Sequence, residues 1–151
     1  MRVSPTRSRM MRAVRRTDTG PERQVRSALH RRGLRFKIDD NSLPGRPDVV
    51  FPRHECVVFV HGCFWHGHKC RYFRWPNTRK VFWSGKINGN RERDRRVEAE
   101  LLGLGWRVAT VWECALRDQR SAAVERRMDR LANWIGSRNH RRVVNVSAMT
   151  R

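Results

Sequence analysis

Apolar residues recur along this chain in two rhythms, one helical and one alternating. Thr19-Gly20-Pro21-Glu22 has the form of a helix start, with proline in the first turn and an acid near the positive end of the helix dipole. Val25, Ala28 and Leu29 then share one helical face, and Gly33 stops the helix after about Arg32. Leu34 to Ile38 alternates as a half-buried strand does, Asp39 to Ser42 breaks it, and Asp48-Val49-Val50-Phe51 predicts a second strand. Residues 52 to 55 make a tight connection to Cys56-Val57-Val58-Phe59-Val60, which is apolar on both faces and therefore central in a covered sheet. Residues 71 to 90 look irregular. A helix is expected from Asn90 to about Leu102, with Val97, Leu101 and Leu102 inward and Arg91, Arg93, Arg95 and Arg96 outward. Trp106 to Trp112 predicts a fourth strand. A last helix, Ser121 to Ile135, places Val124, Met128, Leu131 and Ile135 at helical spacing, which is ordinary core packing. The order α, β, β, β, α, β, α predicts an α/β sandwich with a mixed sheet, covering residues 19 to 136 as one domain. Residues 1 to 18 read as a basic arm and 137 to 151 as a basic, flexible tail.

Charge narrows the partner. The 151 residues carry 34 Lys+Arg against 14 Asp+Glu, a net charge of +20, so a polyanion is expected and nucleic acid is favoured. An anionic membrane surface is the competitor, but it calls for a basic amphipathic helix with one broad apolar face, and the arginines here are spread over every segment. No apolar run approaches the roughly 20 residues that span a bilayer, and the N-terminus lacks an apolar leader, so the expected location is the cytoplasm, in association with the nucleoid. In that reducing compartment four cysteines point to metal rather than disulfides. Six tryptophans against one tyrosine suggest stacking tools as well as core. In residues 71 to 90 the interleaved rings and cations suit nucleic-acid contact, with a small hydrophobic cluster under a long loop as the alternative.

The densest chemistry lies in His61-Gly62-Cys63-Phe64-Trp65-His66-Gly67-His68-Lys69-Cys70. Thiolate and imidazole are the ligands zinc prefers, and Cys63, His68 and Cys70 can reach one ion if the loop curls back. A fourth ligand must come from Cys56, inside an apolar strand, or from Cys114, at the end of another strand; Cys114 is the better candidate. Asp48 opens one strand, and His61 and His66 follow the next, so a carboxylate and two imidazoles can converge at one sheet edge. Mg2+ held by Asp48 and the Val60 carbonyl suits phosphate chemistry. The plainer alternative is that Asp48 caps a turn. His66 is the candidate general base, with Asp94 and Glu22 as the supporting acids.

Several long blocks in order carry a specific resemblance: Met11-Arg12-Ala13, Glu22, Leu43-Pro44-Gly45-Arg46-Pro47-Asp48, Val60 to Cys70, Asn90-x-x-Arg93-Asp94, and Gly105-Trp106 with Trp112-Glu113-Cys114. Over about residues 8 to 118 the chain resembles the very short patch repair (Vsr) DNA mismatch endonucleases. The resemblance implies a restriction-endonuclease-like three-layer sandwich, with a central mixed sheet flanked by helices and a structural zinc site. It implies an endonuclease domain at 19 to 136 that nicks double-stranded DNA 5′ to the T of a T:G mismatch, the lesion left by deaminated 5-methylcytosine. By the same resemblance Asp48 and Val60 hold Mg2+, His66 is the base, and His61, Asp94 and Glu22 support metal-bound water. Zinc falls on Cys63, His68, Cys70 and Cys114, which leaves Cys56 structural. Phe64, Trp65 and Trp83 become a wedge that enters the base stack, Met11 with Arg12 and the basic arm approaches from the other groove, and Arg46 lies against DNA. Such a wedge unstacks a base step most cheaply at a mispair. The expected state is a monomer, with mismatch-repair proteins as candidate partners and no membrane. Phe59 and His61 occupy the places where the wider fold signature has an acid and a lysine, which leaves Asp48 as the one side-chain ligand for Mg2+. A same-fold nickase of different or relaxed specificity, and a non-enzymatic zinc-bearing nucleic-acid-binding module, are the rival functions.

Overall fold

The computed structural model describes residues 19–117, 120–137 and 141–148. The first helix, α1, spans Gly20–Arg31; the Thr19 side chain accepts a hydrogen bond from the Glu22 N–H, and Pro21 lies in the first turn. Strand β1 is Val49–Phe51. A 3-10 turn at Pro52–His54, closed by Glu55 at φ 51°, leads into β2, Cys56–His61. Helix α2 runs Lys80–Gly103, β3 is Arg107–Trp112, a short α3 is Glu113–Leu116, α4 is Ser121–Gly136, and β4 is Val143–Val146.

These strands form one mixed sheet in the order β1-β2-β3-β4. β1 runs antiparallel to β2, with Val49 opposite Val58, and β2, β3 and β4 are mutually parallel, with His61 opposite Trp112 and Val111 opposite Val146. Alternate side chains go to opposite faces. Val49, Phe51, Cys56, Val58, Ala109 and Val111 pack against α1, α3 and α4, in one core with Leu29, Met128, Leu131 and Ile135. Val50, Val57, Phe59 and Val108 meet Leu101 and Val97 of α2 on the other face. The expected mixed α/β architecture, with helices on both sides of the sheet, is therefore present.

Three segments differ from the sequence expectation. Leu34 to Ile38 is no regular strand: only Lys37 pairs, in a bridge to Val50 (Lys37 N to Val50 O 2.8 Å, Val50 N to Lys37 O 2.9 Å). β1 is three residues long, and the chain turns away at Asp39, at φ 56°, so no longer ladder can form. Leu34 still enters the core, and Phe36 packs edge-on to Phe51 at 5.8 Å. The second difference is α2, which begins at Lys80 rather than Asn90. Its inward face reads Trp83, Ile87, Asn90, Asp94, Val97, Leu101, a regular 4-3-4-3-4 spacing that is polar in the middle and so escapes a search for apolar periodicity. Third, the segment read as a loose tail contains β4. Four residues with an apolar rim have too little pattern of their own, and the parallel ladder to β3 supplies the order.

Arg107, at the start of β3, ties the far end of the sheet together. Its Nη1 donates to the Trp134 carbonyl (2.7 Å), and Nη2 donates to those of Ile135 (2.8 Å) and His54 (3.2 Å), while the guanidinium lies 4.6 Å from the Trp134 ring centre. Two of these acceptors are orphan carbonyls at the C-terminal end of α4, where the dipole favours a cation. We expect Arg107→Met to destabilise the protein by about 2–3 kcal/mol, because charged donors leave part-buried carbonyls. Arg107→Lys should recover only part, since one ammonium cannot reproduce the fork. Thermal melts of the three proteins check this; a loss below about 0.5 kcal/mol for the methionine variant, an ordinary surface value, contradicts it.

Candidate active site and metal centre

The C-terminal ends of the parallel strands β2 and β3 lie side by side, and both candidate sites grow from them, as is usual in the crevice outside the carboxyl ends of such strands. On leaving β2 at His61 the chain makes a compact turn, held by His66 N to Gly62 O (3.3 Å), Gly67 N to Phe64 O (3.2 Å) and His68 N to Cys63 O (2.9 Å). Leaving β3, α3 presents Cys114 to the same place. The donor atoms of Cys63, His68, Cys70 and Cys114 lie within 4.8 Å of one another, a soft sulfur and imidazole set of the kind that holds one tetrahedral ion. Cys114 Sγ is 3.7 Å from His68 Nδ1, and it receives the Ala148 N–H at 3.4 Å; the Cys114 N–H in turn points to Cys63 Sγ at 3.4 Å. The two thiols share a proton: the hydrogen bond from Cys63 brings Cys114 down to about 5, and the same contact with burial pushes Cys63 up. One thiolate is thus already favoured within the cluster. Cys56 stands apart, fully buried in the core beneath α1 and raised to about 12 by burial.

Asp48 immediately precedes β1, and the antiparallel register sets it beside the end of β2. Its Oδ2 accepts the Val60 N–H at 2.7 Å. The N–H and C=O of one strand residue point to the same side, so the Val60 carbonyl also faces the β1 edge where Asp48 lies. Burial raises the Asp48 carboxyl to about 7 despite that hydrogen bond, and the buried Glu22 of α1 adds to the rise. Two acids facing one another in a partly buried site are a poor arrangement alone and a good one around a hard cation.

His61, His66 and Asp94 form the second cluster of donors, again within 4.8 Å of one another. His66 Nδ1 lies 2.6 Å from Asp94 Oδ2. A carboxylate only accepts, so Nδ1 carries the proton and Nε2 is left as the acceptor. The His61 ring stacks on that of His66 at 3.8 Å with the planes 1° apart, and burial, with His66 beside it, pushes His61 down to about 3. His61 is therefore neutral, and its buried Nδ1, 4.0 Å from Asp94 Oδ2, has no hydrogen-bond partner.

The aromatic residues also converge. Phe64 meets Trp65 and Trp83 edge-on, each at 5.3 Å, and Trp65 lies 5.8 Å from Trp83, with Lys86 Nζ 5.7 Å from the Trp65 ring. Phe82 and Trp75 beside them are about half exposed. Arg46 is exposed at φ 50° in the turn before Asp48. Met11 and Arg12 lie outside the described residues. Two contributors that the sequence named only as element ends and within the blocks carrying the resemblance, with no role, take one here. Trp112 stacks on His68 at 4.1 Å and 7°, and the Asn90 side chain donates to the Trp65 carbonyl at 2.8 Å. Trp112 had a signal in its place two residues before Cys114; Asn90 had one in its helical spacing from Asp94.

The structure thus brings Asp48, Val60 and Glu22 to one place, His61, His66 and Asp94 to a second, and the four sulfur and imidazole donors to a third, all at one end of the sheet. Comparison with known proteins gives this constellation a family. The family model described as DNA mismatch endonuclease Vsr matches residues 3–72. The DNA mismatch endonuclease Vsr of Escherichia coli is 51% identical over 130 residues, covering 86% of this chain and 83% of that protein. A type II nicking enzyme of Xanthomonas oryzae is 54% identical over 118 residues (78% of this chain, 87% of the other), and one of Neisseria meningitidis 40% over 129 (85% and 91%). Identity at this level, sustained across most of both partners and over the strand ends, turn and helix that build the site, makes the chain a member of the Vsr DNA mismatch endonuclease family.

Proposed function

We propose that this protein is a DNA nicking endonuclease of restriction-endonuclease-like fold, which hydrolyses the phosphodiester 5′ to the T of a T:G mismatch in double-stranded DNA. The observation that carries the reading is the imidazole–carboxylate pair, His66 Nδ1 on Asp94 at 2.6 Å, set beside a partly buried carboxyl at Asp48. A binding module has no use for that arrangement. Asp94 fixes the ring and its tautomer, and Nε2 of His66 takes the proton of the attacking water. Asp48, with the Val60 carbonyl, would hold Mg2+, whose charge would stabilise the leaving 3′ oxygen, giving 5′-phosphate and 3′-hydroxyl ends. In this reading Glu22 and the neutral His61 would order water around that position. Among the described residues, the elevated Asp48 carboxyl and the His61 Nδ1 without a hydrogen-bond partner both suit a hydrated cation.

Phe64, Trp65 and Trp83 form the wedge in this reading, entering the stack beside the mispair, with Arg46 and the N-terminal arm bearing Met11 and Arg12 on the flanking backbone. The 19–136 segment is the catalytic domain, the working form is a monomer, and mismatch-repair proteins are candidate partners. Cys63, His68, Cys70 and Cys114 would hold Zn2+, which would lock the turn bearing the wedge and the base to the end of β3. No helix among the described residues is long and apolar enough to cross a membrane.

Three outcomes are expected. Strand-labelled duplexes carrying T:G, another mismatch or no mismatch should show a single nick 5′ to the T, with Mg2+ and not with EDTA, and none with Asp48→Asn. Equal nicking of every duplex would replace T:G repair with relaxed specificity, and no nicking at all would leave only the binding module.

The second outcome concerns pH. The folded value of about 7 for Asp48 stands above its ordinary 3.8, so in metal-free protein the ionised carboxylate opposes folding. Near pH 4 the cost is small; it grows as the unfolded chain ionises and is complete above about pH 7, on the order of a few kcal/mol. Asp48→Asn in EDTA should therefore melt higher than wild type at pH 8 and about equal at pH 4. Mg2+ should raise the melting temperature of wild type alone, and a variant that is less stable at pH 8 would contradict the assignment.

Third, purified protein should contain about one zinc per chain, and Cys114→Ser should lose most of it together with several degrees of melting temperature. A ratio near zero in wild type removes the structural zinc.

A further inference from the structure

We infer that Arg91 is a positioning residue for His66, acting on the backbone of the turn that carries it, and that Gly67 is glycine because this guanidinium occupies the space of a side chain. The inference rests on the nicking function proposed above. Asn90, Arg91 and Asp94 stand at i, i+1 and i+4 on α2, and each reaches a different part of residues 65 to 67. Asn90 holds the Trp65 carbonyl (2.8 Å), Asp94 holds the His66 imidazole (2.6 Å), and Arg91 spans what lies between: its Nε donates to the His66 carbonyl (3.4 Å), and its Nη2 donates to the Gly67 carbonyl.

Gly67 has φ +60°, and a Cβ built on it would stand 2.6 Å from Arg91 Nε and 2.7 Å from Ile87 Cγ2. The left-handed conformation turns the carbonyls of residues 66 and 67 toward the same cation, and the missing side chain lets that cation close on them. Gly67 is buried and Arg91 half-buried, so these donors sit against backbone rather than reaching out into solvent. An imidazole held only by Asp94 would still swing with its own Cα. Fixing two successive carbonyls removes that freedom, and a displacement of about 1 Å at a reacting group costs on the order of 10²-fold in rate. Arg91 touches none of the proposed reacting atoms.

The competing role for an arginine on a protein of +20 charge is a phosphate contact, and the two roles part on affinity. The experiment measures single-turnover nicking of T:G duplex, Kd and its salt dependence for wild type, Arg91→Lys, Arg91→Met and Gly67→Ala, with zinc content and melting temperature as controls of the fold. A positioning role predicts that Arg91→Lys and Arg91→Met both lose about 10- to 100-fold in single-turnover rate, with Kd within about twofold of wild type and the salt slope unchanged. Gly67→Ala should show the same pattern, and Gly67→Ala with Arg91→Met should lose little more than the worse single variant, as residues serving one contact do. A phosphate contact predicts the opposite: Arg91→Lys near wild type, and Arg91→Met weaker in Kd with a salt slope smaller by about one. That pattern, or Arg91 variants that nick at the wild-type rate, overturns the inference while leaving the nicking function intact; a wild type that does not nick overturns the function instead. Should Arg91→Met fail to fold, the lysine variant alone decides.

Discussion

The parallel pairing of β2 with β3 is the constraint on which the rest of the molecule depends. Its register brings His61 level with Trp112, so two chain segments about fifty residues apart in sequence leave the sheet at one height and one side. Cys63 and Cys114 follow within two residues of those strand ends, which is why a thiol cluster can form there with little extra chain to order. The cluster in turn fixes both ends of the turn 63–68, and the turn carries His66. A slip of one residue in this ladder would send His61 and Trp112 to opposite levels and break the stack of His61 on His66 and of Trp112 on His68.

Around this point the molecule sets partly buried acids inside a strongly basic chain. Asp48 and Glu22 lie close enough to act on each other at one side of the strand ends, with Arg26 and His66 offsetting part of that repulsion, and Asp94 approaches from α2 beside the two imidazoles. Most of the cationic excess lies on exposed side chains, where water and salt screen it, and burial still raises Asp48 although Arg26 pulls the other way. The site is therefore locally acidic within a polycation. On the proposed function, the surface would draw in a polyanion while the interior keeps the charge that a divalent ion and a polarised water would require.

How much of this was legible in the sequence depended on whether a residue's signal was local. β1, β2, β3, α1 and α4 follow from apolar rhythm and end signals, because each buries a continuous stripe. The thiol cluster follows from ligand chemistry, since Cys56 sits in an apolar run and Cys114 at a strand end. What stayed hidden was held by partners distant in the chain. The first ten residues of α2 pack through the Trp83 ring and a lone buried aliphatic residue, Ile87, too few for an apolar rhythm, β4 exists only as the fourth member of the ladder, and Leu34 to Ile38 failed as a strand because β1 is too short to receive it. Asp48 could be named from its neighbours, yet its elevated carboxyl depends first on burial and then on Glu22, both of which exist only in the folded molecule.

The inward face of α2 joins parts that the sequence keeps separate. Trp83 at its start belongs to the ring cluster, Asn90 in the middle holds the Trp65 carbonyl, Asp94 one turn on holds His66, and Val97 and Leu101 anchor the helix in the sheet. On the proposed function, wedge and base are therefore mounted on one rigid element and joined across a single turn of chain. Inserting rings into a base stack costs a few kcal/mol, and least at a mispair. Where the duplex resists, the load falls on Trp65, and residues 65 and 66 share a peptide unit, so displacement of the ring is displacement of the imidazole. On that reading, selection of a deformable base step and alignment of the proton acceptor would be one mechanical event, and the lesion would be distinguished at the step that commits the strand to cleavage as well as in binding.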